Sequence, residues 1–263
     1  MKNNKKRSYN LLGNVALVSF PRDINKKQKK DFAKKILNDN KSVKTVLEKI
    51  GKFKGRLRKI STKYITGKRI KEVLYHENNC VFRFNIDTTY FSPRLSNERK
   101  EIASLIKKNE KVLVMFAGVA PFSIVIAKKS GVYVTSNEIN RIANKYGRLN
   151  AELNNVKSKI EFCDGDIKKV AKKLNQKKRK FDVIVMPRPQ LKDNFLKQAF
   201  MLSKKNTRIY YYDFCKVKDI RKITEKIKQE AKKYKRKIKI IKIKKAGEIA
   251  PYKIRLRVDF KVL

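Results

Sequence analysis

The chain has 263 residues, 41% of them hydrophobic, which is enough for one large domain or two smaller ones with a sizeable core. Its 70 Lys+Arg against 23 Asp+Glu give a net charge of +47, a field that attracts polyanions and makes nucleic acid the leading partner class. Three scattered cysteines (Cys80, Cys163, Cys215) and one histidine, His76, argue against a zinc site or a disulfide framework and for a reducing, cytoplasmic setting without a metal.

The start, "MKNNKKRSYNLLGNVALV", is basic but has no long apolar stretch, so no signal peptide is expected. The longest mostly apolar run, Val112 to Ala127, is too short to span a bilayer and is broken by Gly118 and Pro121, so no membrane partner is expected. In chain order, residues 1–88 mix short β-like runs (Val15–Phe20, Ile70–Tyr75, Cys80–Asn85) with one amphipathic helix, "KKQKKDFAKKILND". They read as a small α+β domain. Within it "GKFKGRLRKISTKYITGKRIK", Gly51 to Lys71, interleaves Phe53, Tyr64 and glycines with positive charge. That mixture suits a surface following a phosphate backbone, or equally a solvated lysine-rich loop.

Residues 89–263 form the second domain, and from about residue 100 strands and helices alternate. Strands are expected at Val112–Phe116, Val132–Thr135, Lys159–Phe162, Phe181–Met186 and Thr207–Tyr212. Helices are expected at Phe122–Lys128, Arg141–Leu153, Ile167–Leu174 and Asp193–Leu202. Such repetition gives an α/β fold with a mostly parallel sheet covered on both faces. The helical "DIRKITEKIKQEAKKYKRK" is followed by "IKIIKIKK" and "YKIRLRVDFKVL", joined through Gly247 and Pro251, which fit a terminal antiparallel hairpin. Seven strands ending in a hairpin resemble the class I S-adenosylmethionine (SAM) methyltransferase fold, Rossmann-like but distinct from a dinucleotide domain.

In an open α/β sheet, ligands lie beyond the carboxyl ends of the strands. "MFAGVAPFSI" then reads as the first strand–helix turn: Ala117, Gly118 and Ala120 let the backbone approach the cofactor, with Phe116, Pro121 and Phe122 beside them. SAM has no pyrophosphate, so a three-glycine fingerprint is not needed. Glu138, followed by Ile139, is expected to accept from the ribose hydroxyls. In "CDGD" Asp164 and Asp166 both offer a carboxylate to the adenine amino group; Asp166 is preferred and also suits a helix cap. Met186 and Pro187, after the fourth strand of the alternating series, complete the expected cofactor contacts.

The stretch "YFSPRLSNER", Tyr90 to Arg99, taken alone reads as a helix start with Ser96 capping and Glu98 and Arg99 in the first turn. Together with "MFAGVAPFSI", "INRIANKYGRLNAELNNV", "AGEIAPYKIRLRVDF" and, in the first domain, "SVKTVLEKIGKFKGRLR", it resembles the archaeal and eukaryotic tRNA guanine-37 N1-methyltransferase family over nearly the whole chain. A small N-terminal module that often precedes this domain in the family is expected to be missing, as in a shorter archaeal branch associated with wyosine biosynthesis.

The resemblance implies SAM-dependent methylation of guanine N1 at position 37 of the tRNA anticodon loop; with no coiled coil in the sequence, a monomer is expected. Guanine N1 carries a proton, and a carboxylate of ordinary pKa is a weaker base than the N1 anion by roughly five units, about 7 kcal/mol. Donors at O6 must therefore stabilise charge as the proton leaves. By resemblance Glu98 is the base, and Arg94, Arg99 and Arg58 steady O6 and the phosphates. Tyr90 packs on cofactor or base, and the base leaves the loop stack. Two departures stand out. Val114 and Ala120 replace the family's first-strand acid and second glycine, and "VMPRPQ" replaces its N-L-P signature. These changes suggest a wider or altered base pocket. The competing readings are C7-methylation of the tricyclic wyosine intermediate imG-14, alone or as a second specificity, aminocarboxypropyl transfer, and a noncatalytic RNA-binding protein.

Overall fold

The computed structural model describes residues 8–263, apart from the side chains of residues 8 and 52–54. The sequence readings on residues 1–7 and on the Phe53 side chain lie outside those residues. Contacts divide the chain into a first unit ending at Pro93 and a second, Arg94–Leu263.

In the first unit β1 (Ser8–Leu12), β2 (Val15–Ser19), β3 (Thr45–Lys54) and β4 (Lys59–Gly67) form one sheet in that order. Strands β2 and β3 are parallel because α1 (Lys26–Asp39) crosses between them. The helix bounds match the expected segment. Asn25 caps it through a capping box with Gln28, and Ala33 and Ile36 turn inward onto Val18 and Val46. The stretch 51–71 differs from the loop considered above: most of it is the antiparallel β3–β4 hairpin, which periodicity alone had not disclosed under so much lysine. An antiparallel pair, β5 (Glu72–Glu77) and β6 (Cys80–Asn85), follows. Gly13 turns β1 into β2 with φ +55, and a Cβ there would stand 1.8 Å from the Leu74 carbonyl oxygen, so that turn accepts only glycine.

The second unit is an α/β layer structure. Helix α2 (Ser96–Leu105) precedes β7 (Val112–Met115), α3 (Pro121–Ser130), β8 (Val134–Glu138), α4 (Arg141–Leu153), β9 (Ile160–Asp164), α5 (Ile167–Gln176) and β10 (Phe181–Met186). Then come α6 (Leu196–Leu202), β11 (Ser203–Lys216), α7 (Ile220–Lys233), β12 (Ile238–Ala250) and β13 (Lys253–Val262). The seven-stranded order is β12-β13-β11-β10-β7-β8-β9. Strands β7 to β11 are mutually parallel, and β13 runs antiparallel between β11 and β12. This is the sheet of class I SAM methyltransferases, as the strand count and final hairpin implied.

Three local expectations are corrected. Ser96 is the first helical residue, not a cap; Leu95 stands at the cap position with no side-chain bond. Helix α6 begins at Leu196 rather than Asp193, because Asp193 and Asn194 turn their side chains onto the amides of Phe195 and Leu196. Gly247 lies inside β12, and the hairpin turns at Pro251 and Tyr252. Among the described residues no helix is long and apolar enough to cross a membrane.

Replacing Asn25 by Ala removes the side-chain half of the capping box, the Asn25 oxygen that accepts from the Gln28 amide. A loss of about 1 kcal/mol is expected, read as a lower denaturation midpoint of the transition that reports the first unit. An unchanged midpoint would mean that this cap contributes nothing.

Candidate active site

The carboxyl ends of β7, β8 and β9 carry the residues singled out for the cofactor. Met115 pairs with Asn137 and Glu138 with Asp164, so the strand tips stand in register. The Ala117 amide donates to the Asn137 carbonyl at 2.8 Å, which folds the turn back over β8. The turn then passes through left-handed backbone at Phe116, Gly118 and Ala120, with φ of 58°, 59° and 64°. Pro121 follows as the first residue of α3, where its missing N–H costs nothing. Ala120 is thus a non-glycine residue in a glycine-favoured conformation. Its methyl group lies toward Gly147 of α4, where an added Cβ would meet it at 3.4 Å and the Phe162 ring at 3.0 Å. Space ceded by Gly147 accommodates Ala120. Val114, in place of an acid, is fully buried in β7 between Ser136 and Val185.

Glu138 is buried. Its Oε2 accepts from the Gly118 amide at 2.8 Å and its Oε1 from the Asn140 amide at 2.7 Å. Burial raises its pKa above the ordinary carboxyl value, and these two backbone donors offset only part of that. The carboxylate is therefore fixed at the strand tip by the turn it serves. Asparagines that the sequence reading passed over brace the same region. Asn137 Nδ2 donates to the carbonyls of Cys163 and Gly165, Asn144 Nδ2 to that of Glu138, and Asn150 Nδ2 to that of Val119. Asn140 caps α4 through the amides of Ile142 and Ala143. Ile139 stands between these two anchors. Asp166 caps α5 by accepting from the Lys168 amide at 2.9 Å, while Arg148 grips Asp164 through both carboxylate oxygens, at 2.9 and 3.1 Å.

Glu98 is the second centre. It is buried in the first turn of α2. Its Oε2 accepts from Arg257 Nη1 at 2.7 Å and from the Tyr212 hydroxyl at 2.9 Å, and its Oε1 lies 2.8 Å from Lys244 Nζ. Strand register explains the convergence: Arg257 of β13 pairs with Tyr212 of β11 on one side and Lys244 of β12 on the other. Arg257 also holds Glu101 and Asp259, and Lys244 also pairs with Glu101. Hydrogen bonding from Arg257, ahead of Lys244, brings the Glu101 pKa down to about 2. Burial, then the Glu98 carboxylate, raises the Tyr212 pKa well above ordinary, so the hydroxyl stays a donor. Tyr212 also meets the Phe122 ring of α3 edge-on at 6.0 Å, which links this network to the cofactor turn. None of Tyr212, Lys244, Glu101 or Asp259 was expected from sequence. The one available signal was that Arg257 and Asp259 alternate with apolar residues in a strand.

The arginines separate. Arg99 is fully buried, with its guanidinium over Phe122 at 5.7 Å. Arg94 is exposed and reaches the Glu248 carbonyl at 3.5 Å. Arg58 and Tyr90 belong to the first unit, where the guanidinium stacks on the ring at 4.2 Å. Met186 ends β10 and Pro187 follows it directly. Next to them Arg188 is buried. It pairs with Asp213 and donates to Tyr211 Oη and to the carbonyls of Pro189, Leu191 and Asp193. The "MPRP" segment is a loop cinched from within. Among the described residues no cluster of His, Cys, Asp and Glu forms a metal site.

A family model described as the TRM5/TYW2 methyltransferase domain matches residues 73–241, and one described as the TYW2 N-terminal domain matches residues 1–70. The chain is 33% identical to the tRNA (guanine(37)-N(1))/4-demethylwyosine(37)-methyltransferase Taw22 of Nanoarchaeum equitans, covering 96% of this chain and 98% of that one. It is 31% identical to the tRNA (guanine(37)-N(1))-methyltransferase Trm5b of Pyrococcus abyssi, over 97% of this chain and 74% of that one. The Trm5b crystal structure superposes with a TM-score of 0.84 at 30% identity over the same shares. The fold is also that of Methanocaldococcus jannaschii TYW2, crystallised with AdoMet, at a TM-score of 0.72 and 23% identity over 97% and 99% of the two chains.

Two stability tests follow from the ion pairs. Asp213→Ala leaves the Arg188 guanidinium buried without its carboxylate and is expected to cost about 3–5 kcal/mol, read by chemical denaturation. Glu101 has a folded pKa below its unfolded value. Its contribution is therefore present above the ordinary carboxyl pKa of 4.5 and is lost as pH falls towards about 2. Glu101→Gln should destabilise the protein at neutral pH, by a margin that closes across that acid window. A margin independent of pH would refute the pairing.

Proposed function

The chain belongs to the TRM5/TYW2 methyltransferase family, and from that premise we propose that it is a SAM-dependent tRNA methyltransferase acting on guanine N1 at position 37. It works in the cytoplasm as a monomer, residues 1–88 positioning the tRNA and residues 89–263 carrying catalysis. The observation that carries this reading is the unbroken packing from cofactor turn to carboxylate: Phe122 of α3 against Tyr212, and Tyr212 donating to Glu98.

The strand-tip residues fit SAM. Small residues from Ala117 to Ala120 let the backbone come close, Glu138 is anchored to meet ribose hydroxyls, and Asp166 stands at the start of α5 for the adenine edge. Phe116, Pro121, Phe122, Ile139, Met186 and Pro187 border that position. SAM supplies an electrophilic methyl group. Glu98 accepts the N1 proton. Arg94 and Arg58 steady O6 and the tRNA phosphates, Tyr90 packs on the cofactor or the base, and Arg99, over the Phe122 ring, joins α2 to α3. The wide excess of positive charge binds the tRNA backbone, so affinity falls steeply with salt.

One observation favours a second target. Taw22, similar over almost its full length, is named for both guanine 37 and 4-demethylwyosine. The "MPRP" loop of this chain is tied back by Arg188, and Pro187, Arg188 and Pro189 stand where the family has the asparagine that bonds the base. The same pocket then accepts the tricyclic imG-14 for C7-methylation as well as guanine. Nucleoside mass spectrometry of tRNA incubated with the protein and labelled SAM tests both targets. N1-methylguanosine is the expected product from guanine-37 transcripts, with a second methylated nucleoside from tRNA bearing imG-14. Glu98→Ala should lose most turnover while SAM binding, followed by calorimetry, is retained. Full turnover in that variant would remove Glu98 as the base, and an aminocarboxypropyl product would overturn the reaction type.

A further inference from the structure

A carboxylate with three donors on it is a poor proton acceptor until one donor leaves. On Glu98, two of the three are fixed. Arg257 is fully buried between Glu101 and Asp259, and Tyr212 is buried against Phe122; both bond Oε2. The third, Lys244, meets Oε1 alone. Its side chain is 32% exposed, against 5% for Glu98 and 0% for Arg257. It stands on β12, the edge strand of the sheet, at the end of a flexible four-carbon stem. Glu101 accepts it as well, so the ammonium is shared between two carboxylates and has a second partner to keep when it leaves Glu98. Burial alone would lower the lysine pKa, but the bonds to Glu101 and Glu98 outweigh it and raise the value, so the ammonium persists at neutral pH.

The pair matches the edge of guanine that reacts. N1–H and O6 are adjacent on that edge. A carboxylate taking the proton and a cation serving O6 must stand side by side at about the hydrogen-bond distance of an ion pair, roughly 2.7–3.2 Å, as Glu98 Oε1 and Lys244 Nζ do. We propose that Lys244 is a further catalytic residue: its ammonium leaves Glu98 for O6 as Glu98 takes the N1 proton. The N1–H bond breaks, the proton goes to Oε1, and the electron pair stays on the base, shared between N1 and O6. Lys244 keeps its three protons throughout and stabilises the charge on O6. Lys244 thereby uncovers the base and quenches the charge the base creates. The other charged groups facing this spot, Glu101, Asp259 and Lys242, stay in the network and leave the local charge balanced.

This inference rests on the guanine-N1 reading and on Glu98 as base. Its test is single-turnover methyl transfer at saturating SAM and saturating guanine-37 transcript, with Lys244→Met, Lys244→Arg and Glu98→Gln measured in parallel. Lys244→Met should lower the rate about 100-fold or more, as loss of a donor at a developing oxyanion does. SAM and tRNA dissociation constants should be unchanged, and Lys244→Arg should recover most of the rate. Arg257 and Tyr212 still satisfy Glu98 in Lys244→Met, so the variant should fold. Lys244→Gln is a second uncharged variant that must behave alike. A wild-type rate in a folded uncharged variant, beside an inactive Glu98→Gln, overturns the role of Lys244 and leaves the base assignment standing. An active Glu98→Gln overturns the base assignment and this inference with it.

Discussion

The second unit is organised by the burial of one guanidinium. Arg257 is fully enclosed in β13, and a buried cation of that kind persists only if carboxylates reach it with good geometry. Three do: Asp259 from its own strand, and Glu98 and Glu101 from one face of α2. Meeting that demand fixes how α2 lies on the sheet. It also sets Tyr212 and Lys244, the register neighbours of Arg257, beside the first turn of the helix. The arrangement that stabilises the layer is therefore the one that aims Glu98. A network of this sort is costly to break at one member, which ties the structural role to the chemical one.

The cofactor end follows a different rule. Its parts are mostly backbone and small side chains, held by amide and asparagine bonds, with one ion pair, Arg148 to Asp164, at the tip of β9. Glu138 accepts from the Gly118 amide of the turn opposite it, and that turn runs through left-handed backbone to reach it. Here the departures from the family pattern have local answers. Ala120 takes a conformation that glycine would enter freely, and Gly147 on α4 leaves room for its methyl group. Val114 completes the apolar interior of β7. Neither change disturbs the position of Glu138.

Arg188 stands between two prolines in the loop that replaces the family's N-L-P signature. Its partner Asp213 lies 25 residues later on β11, and the side chain goes inward to that carboxylate and to three loop carbonyls. The loop is stiffened from within by its own arginine.

The sequence by itself determined the class of fold, because hydrophobic period and strand–helix alternation are local properties. Helix α1, helix α4, β6 and β10 have the bounds their residues imply. It also located Glu138, Asp166 and the turn from Ala117 to Phe122, since strand tips and helix starts in an α/β sheet are fixed by chain order. What it left dark has two physical sources. Where lysines fill the exposed positions of β3 and β4, the alternation that marks a strand is hidden by charge. The surroundings of Glu98 depend on contacts spanning more than a hundred residues, such as Glu98 with Tyr212 and Arg257, |i−j| of 114 and 159. Only the tertiary structure decided those, because β13 inserts between β11 and β12 and thereby brings Tyr212, Arg257 and Lys244 into one row beneath a single carboxylate.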